Sequence, residues 1–205
     1  LSAIQGASEL LNEEMDDDQT QRFLHNIHSE TERMQDLIER LLTLAGVEKR
    51  KEIEHAEWIN MPSLLEEIID SLQPIVQQKN VRVHPVIGPR VRMYGERFLV
   101  RQAVINLLRN AVEFSPNDGA VHIEIENDNA QVILRILDDG PGIPDYARDR
   151  LFERFYSLPR PGDGRKSSGL GLNFVKEVAL LHRGSITVTN RETGGVDATL
   201  RFPTS

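Results

Sequence analysis

The apolar residues of the first 45 positions advance by alternating steps of three and four, and that rhythm limits what this end of the chain can become. Leu1, Ile4, Ser8, Leu11 and Met15 form one such series, and Ile27, Thr31, Met34, Ile38, Leu41 and Ala45 form a second. The acidic run Asp16-Asp17-Asp18 between them reads as a turn. An alternating three-four seam belongs to helices that pack side by side along their length. Two helices enclose no core by themselves, so residues 1–48 predict an antiparallel hairpin completed to a four-helix bundle by a second copy. The alternative is a helical arm packed on the rest of the chain.

After the charged stretch Glu48-Lys49-Arg50-Lys51-Glu52, read as a linker, the pattern changes. Residues 61–79 carry Leu64, Leu65, Ile68, Ile69 and Leu72 on one side, as an amphipathic helix would. Short strands are expected at 81–86 and 91–94, split by Gly88-Pro89, then a helix over 96–114 that stops at Ser115-Pro116. Residues 121–126 and 132–137 read as strands paired through the polar turn Asn127-Asp128-Asn129. A helix over 170–182 ending at Gly184, and strands at 186–189 and 198–202, complete the series. Strands and helices that do not strictly alternate predict an α+β sandwich over 53–205, a sheet covered on one face by helices.

Composition removes several function classes. The sequence contains no cysteine, which excludes disulfides and thiolate metal sites. A net charge of −8 argues against a nucleic-acid-binding face. No apolar run is long enough to cross a bilayer.

Three places carry chemistry. Gln102, Asn106 and Asn110 stand at i, i+4 and i+8 and share one face of a helix that is otherwise strongly apolar. Buried amides need partners, and a polyphosphate with its metal provides them: amide oxygens are hard ligands for Mg²⁺ and amide NH₂ groups donate to phosphate. Directly after the strand 132–137 comes Asp138-Asp139-Gly140-Pro141-Gly142-Ile143. A carboxylate at a strand end can accept from an exocyclic amine such as that of adenine, and the glycines let a flat ring approach the backbone. Third, Ser167-Ser168-Gly169-Leu170-Gly171-Leu172 opens a helix, whose free N–H groups suit phosphate. Upstream, Pro161-Gly162-Asp163-Gly164-Arg165-Lys166 reads as a lid with two cations. Neither a dinucleotide fingerprint nor a P-loop is present.

The order and spacing of these sites resemble the catalytic domain of the histidine kinases, within the ATPase family that includes DNA gyrase, the heat-shock chaperone and the mismatch-repair ATPase. Asn106-Leu-Leu-Arg-Asn110-Ala-Val-Glu-Phe114-Ser-Pro resembles the N box, and Asp138-Asp-Gly-Pro-Gly-Ile143 the first glycine box. Phe152-Glu-Arg-Phe155-Tyr156 resembles the F box, and Ser168-Gly-Leu-Gly-Leu172 the second glycine box. The hairpin is similar to that family's dimerisation and phosphoacceptor domain. The resemblance implies a Bergerat-type α/β sandwich that binds ATP and Mg²⁺. Asn106 would hold the metal, and with Gln102 belongs to the candidate catalytic pair. Asn110 would contact phosphate, and Asp138 would bind the adenine amine above Gly140 and Gly142. Phe114, Ile143, Tyr156, Arg165, Lys166, Ser168, Gly169, Leu170, Gly171 and Leu172 would complete the nucleotide site, with Phe152 and Phe155 anchoring the lid.

The resemblance also implies partners: a response-regulator receiver domain that takes the phosphoryl group on an aspartate, and a second copy of the hairpin. No nucleic acid is expected. Leu1 matches the last residue of the family's His-Glu-Leu-x-x-Pro-Leu motif, so the acceptor histidine is expected upstream, along with any membrane anchor of a cytoplasmic kinase portion. The chain by itself is then expected to bind ATP without labelling itself. Two departures stand out: Glu113 where the family usually carries lysine, and Ser167 where glycine is common. An acid at 113 repels a triphosphate unless a cation such as Arg109 pairs with it or Arg154, Arg165 or Lys166 supplies the missing charge. Two other functions remain open at this level: a non-catalytic nucleotide-binding regulatory module, and a gyrase-type ATPase clamp, which needs a general-base glutamate where Gln102 stands.

Overall fold

The computed structural model describes residues 17–204 apart from Pro89, Asn129, Asp163 and Arg165. The chain divides into two units, Leu1–Ala45 and Gly46–Ser205. The first expected helix lies outside the described residues. The second is α1, Asp17–Glu48. It already includes Asp17 and Asp18 of the expected turn. Its seam residues Ile38 and Leu41 and the adjacent Leu24 and Leu42 are exposed in the single chain.

In the second unit, β1 (Glu57–Asn60) pairs antiparallel with β3 (Arg92–Gly95) as a separate ribbon. The four residues of β1 show too little alternation to mark a strand in the sequence. The Oδ1 of Asn60 accepts from Ser63 N at 3.3 Å and caps α2, Met61–Ser71. The single helix expected over 61–79 is in fact two, since α3 (Gln73–Lys79) starts afresh after Leu72. Pro74 has no N–H to continue the first helix and fits the first turn of a new one.

The main sheet has five strands in the order β2-β4-β5-β7-β6. They are β2 (Arg82–Ile87), β4 (Ala120–Asp128), β5 (Gln131–Asp138), β6 (Ser185–Asn190) and β7 (Val196–Pro203). Pairing is antiparallel except for β2 with β4. Alternation decides the faces: Val121, Ile123 and Ile125, Val132, Leu134 and Ile136, and Leu200 and Phe202 are buried. On the opposite face Arg135 pairs with Glu124 at 3.0 Å and with Asp197, and His84 stacks on His122. The helices α4 (Arg97–Phe114) and α5 (Gly171–Leu181) pack against each other and against strands of the sheet. In α4, Val100, Val104, Leu107, Leu108 and Val112 are buried, each contributing about 1.5–3 kcal/mol of transfer free energy.

Lys79 secures the end of α4. Its Nζ donates to the carbonyls of Val112, Glu113 and Ser115 at 3.2, 2.7 and 2.7 Å, where a helix C-terminus favours a cation. A 3₁₀ turn, Asp145–Arg150, follows the Asp138–Ile143 turn and places Ala147 in a small apolar cluster with Ile143 and Leu151.

Candidate functional site

The sheet, α4 and the segment entering α5 line a partly open cleft. Its walls are mostly apolar: Leu107 and Ala111 from α4, Ile136, Val188, Val196 and Ala198 from the sheet, and Leu151, Leu158 and Leu172 from the connecting segments. Few polar groups interrupt them, among them Asn110 and Asp138. An apolar cleft with a small number of fixed polar atoms suits an aromatic heterocycle.

Asp138 ends β5 and is only 6% exposed. Two backbone donors converge on one of its oxygens: Gly140 N at 2.8 Å and Val196 N at 3.2 Å, both to Oδ1. The other oxygen, Oδ2, makes neither of these bonds. Burial pushes the Asp138 carboxyl above the ordinary carboxylate value, opposed by these two N–H groups and by Arg191, with the Asp139 charge adding to the rise. Arg191 Nη1 donates to Asp138 O at 2.6 Å and Asp139 Oδ1 at 3.2 Å, while Asp139 Oδ2 accepts from Ala120 N at 3.0 Å. The turn is thus held from both sides.

Asn190 fixes the far end of the turn. Its Oδ1 accepts from Ile143 N at 2.7 Å and its Nδ2 donates to Ile143 O at 2.9 Å, mimicking a strand partner. Gly195 makes the close approach of the β6–β7 hairpin possible: a Cβ there would lie 1.8 Å from Asp138 O. Sequence reasoning missed Asn190, Arg191 and Gly195, since each acts on the turn from about 50 residues away.

The glycine-rich segment is stitched to the one before it. Phe155 N donates to Gly169 O at 3.0 Å, Ser157 Oγ to Ser167 O at 3.1 Å, and Asn173 Nδ2 to Phe152 O at 2.9 Å. Gly169 has φ +68°, and a Cβ would sit 2.5 Å from Phe155 C, so only glycine fits. The Gly171 Cβ position lies 3.6 Å from Asn106 Oδ1, which brings the first amide stripe against the start of α5.

Of the residues singled out from the sequence, Asn110, Phe114, Asp138, Gly142, Ile143, Tyr156, Gly169, Gly171 and Leu172 line the cleft. Asn106 lies beside Gly171 at its edge, and Gly140 bonds Asp138 from behind. Leu170 is buried as the residue before α5, whereas Gln102, Lys166 and Ser168 are not among the lining residues. Arg165 lies outside the described residues. Phe152 packs on the Ile143 cluster, but Phe155 is 65% exposed and anchors through its backbone alone. Glu113 pairs with Arg160 at 2.7 Å, and Arg154 is taken by Glu48.

The description "Histidine kinase-, DNA gyrase B-, and HSP90-like ATPase" matches residues 95–205, and the "His Kinase A (phospho-acceptor) domain" matches residues 1–49. The chain belongs to the sensor histidine kinases. Sensor protein CreC of Escherichia coli K12 is 43% identical over 98% of this chain and 42% of its own length. The Acinetobacter baumannii histidine kinase AdeS superposes with a TM-score of 0.78 at 23% identity, covering 100% of this chain and 94% of that one. Histidine kinase ThkA, solved in complex with response regulator protein TrrA, gives 0.76 at 19% identity over 99% of this chain and 57% of that one. The chain spans 42% and 43% of the lengths of CreC and of sensor protein QseC of Escherichia coli K12. Membership in the histidine kinase ATPases implies an ATP-binding site, and the cleft fits one: a buried carboxylate facing an apolar slot, beside a glycine cradle that any side chain at 169 would fill. Among the described residues no helix is long and apolar enough to cross a membrane.

Proposed function

We propose that this chain is the kinase portion of a membrane-bound sensor histidine kinase, binding ATP with Mg²⁺ in the cleft between α4, the Asp138–Ile143 turn and residues 167–172. The observation that carries this reading is the convergence of Asn110, Asp138, Gly142, Gly169 and Gly171 on one cavity although they are far apart in sequence.

Asp138 accepts the adenine amine on the oxygen its backbone donors leave free, and Gly140 and Gly142 keep the backbone clear of the ring. Ile143, Leu172, Phe114 and Tyr156 supply apolar contact. Asn110 and the N–H groups after Gly169 take phosphate oxygens, with Ser168, Leu170 and Lys166 bordering them. Asn106, against Gly171, offers an oxygen to the metal. Asn106 is the residue of this chain that would hold Mg²⁺, together with the phosphates of the nucleotide. Bound there, Mg²⁺ neutralises charge on the phosphates. Phosphoryl transfer asks the protein mainly for alignment and charge compensation, which the amide stripe and the glycine segment provide. Gln102, a further turn along α4, cannot act as a base, which disfavours hydrolysis by the gyrase-type route.

The acceptor is a histidine of the dimerisation hairpin, and the product passes to an aspartate of a response-regulator receiver domain; histidine kinase ThkA, a structural neighbour, is solved in complex with response regulator protein TrrA. Exposure of Ile38, Leu41 and Leu42 on α1 supports a homodimer through the hairpin. The test mixes this chain with ATP, Mg²⁺ and a separate hairpin bearing the acceptor histidine. Acid-labile, base-stable label on the hairpin is expected; ATP binding without any label would leave a nucleotide-binding regulatory module instead.

A further inference from the structure

The hairpin of β6 and β7 holds the Asp138–Ile143 turn at both ends. Asn190, the last residue of β6, bonds Ile143 in both directions, at 2.7 and 2.9 Å. Val196, the first residue of β7, donates its N–H to Asp138 Oδ1 at 3.2 Å. The connection between them is closed on itself: Arg191 N donates to Gly195 O at 3.0 Å and Gly194 N to Arg191 O at 3.1 Å. Position 195 has no room for a side chain against Asp138 O, and its φ of +81° suits glycine, so the hairpin can pass close to that carbonyl.

Arg191 is the cationic member of this clamp. Its Nη1 donates to Asp138 O at 2.6 Å and to Asp139 Oδ1 at 3.2 Å, and 23% of its side chain is exposed. The other oxygen of Asp139 accepts from Ala120 N at 3.0 Å, at the start of β4. The peptide joining Asp138 to Asp139 is therefore fixed from both sides. A carbonyl held in this way fixes the direction in which the Asp138 side chain leaves the backbone. Since Gly140 N and Val196 N both occupy Oδ1, the place of Oδ2 in the cleft is fixed with it. Hydrogen bonds with a charged donor are roughly twice as strong as neutral ones, so Arg191 is a firm tie. Burial raises the Asp138 carboxyl, and Arg191, after the two N–H groups, opposes that rise and keeps the oxygen an acceptor.

We propose that Arg191 is a positioning residue for base recognition: by holding the Asp138–Asp139 peptide against the β6–β7 hairpin it aims the free oxygen of Asp138 at the six-position of the base, and so sets the preference for an amine over a carbonyl there. Arg191 itself stands outside the cleft lining; it acts through Asp138, which belongs to that lining. The inference rests on the ATP reading above. Its consequence is specific to the base. Loosening Arg191 weakens ATP, which is read through its amine. Inosine triphosphate, with the same ribose and triphosphate but a carbonyl at that position, is unaffected. A contact that merely supported the fold would weaken both alike.

The test titrates wild-type chain, Arg191→Gln and Arg191→Lys with ATP–Mg²⁺ and with inosine triphosphate–Mg²⁺ by calorimetry, and takes a melting curve of each protein. Wild type should prefer ATP. Arg191→Gln is expected to lose on the order of tenfold in ATP affinity, the worth of one charge-assisted hydrogen bond, with inosine triphosphate unchanged. Arg191→Lys, whose ammonium can replace the single Nη1 that makes both bonds, should keep ATP within about threefold of wild type. Equal losses for the two nucleotides in Arg191→Gln, or no loss of ATP, would overturn the proposal. An Arg191→Lys variant that melts like wild type but no longer prefers ATP would overturn it too, even if Arg191→Gln proved unstable. Wild-type protein that takes up neither nucleotide would instead bring down the ATP reading, and this inference with it.

Discussion

Replacing Asp138 by asparagine changes one atom of the cleft and tests how the base is read. In the native turn Gly140 N and Val196 N both donate to Oδ1, at 2.8 and 3.2 Å. An asparagine must therefore keep its carbonyl oxygen at the Oδ1 position, because an NH₂ there would face two donors. Its NH₂ then occupies the place of Oδ2, where the adenine amine also presents a donor. The change removes a charge-assisted bond worth about 1.5–3 kcal/mol and replaces it with a donor–donor clash. At about 1.4 kcal/mol per tenfold, ATP affinity should fall at least tenfold and on the order of a hundredfold. Inosine triphosphate, whose six-position is a carbonyl, should gain relative to ATP, so the preference between the two nucleotides inverts. Folding should not suffer. Burial raises the Asp138 carboxyl above its ordinary value, so the ionised side chain costs stability near neutral pH, a cost that fades as pH falls and the native state takes up its proton. The variant escapes that cost and should melt at or above the wild-type temperature. Calorimetric titration with both nucleotides and a melting curve measure all three quantities. ATP binding within threefold of wild type, in a variant of unchanged stability, would refute the assignment of Asp138 as the reader of the base.

Two further outcomes follow from particular contacts. His182 is buried, its Nε2 accepting from Glu96 N at 3.0 Å and its Nδ1 lying 2.8 Å from Val178 O, so the ring is held neutral and burial lowers its pKa. A depressed histidine leaves stability intact above its unfolded value near 6.5 and loses it as pH drops toward the folded value, by up to about 1.4 kcal/mol per unit of difference; melting between pH 7.5 and 5.5 should show this slope in wild type and a shallower one in His182→Gln. Gly169→Ala forces a Cβ to within 2.5 Å of Phe155 C at φ +68°, and should cost more than about 1 kcal/mol in denaturant unfolding while weakening ATP; a stability unchanged from wild type would show that the segment relaxes freely.

Local pattern and chemistry were enough to write much of this protein. The alternation of Val132, Leu134 and Ile136, the apolar face of α4 with its amides four residues apart, and the glycines at 140, 142, 169 and 171 all act through neighbours within a turn or a strand, and periodicity records such neighbours directly. Their joint order was sufficient to suggest the family before any contact was known. What the one-dimensional pattern could not hold was every relation between distant segments. That Pro74 divides a helix was readable in principle; that Asn190 imitates a strand against Ile143, that Gly195 must lack a side chain because Asp138 O lies where it would go, and that Glu113 is answered by Arg160 were not. Hydrogen bonds and ion pairs depend on distances of a few ångströms, and those distances are set only when the sheet order β2-β4-β5-β7-β6 and the packing of α4 on α5 bring residues tens of positions apart to the same place.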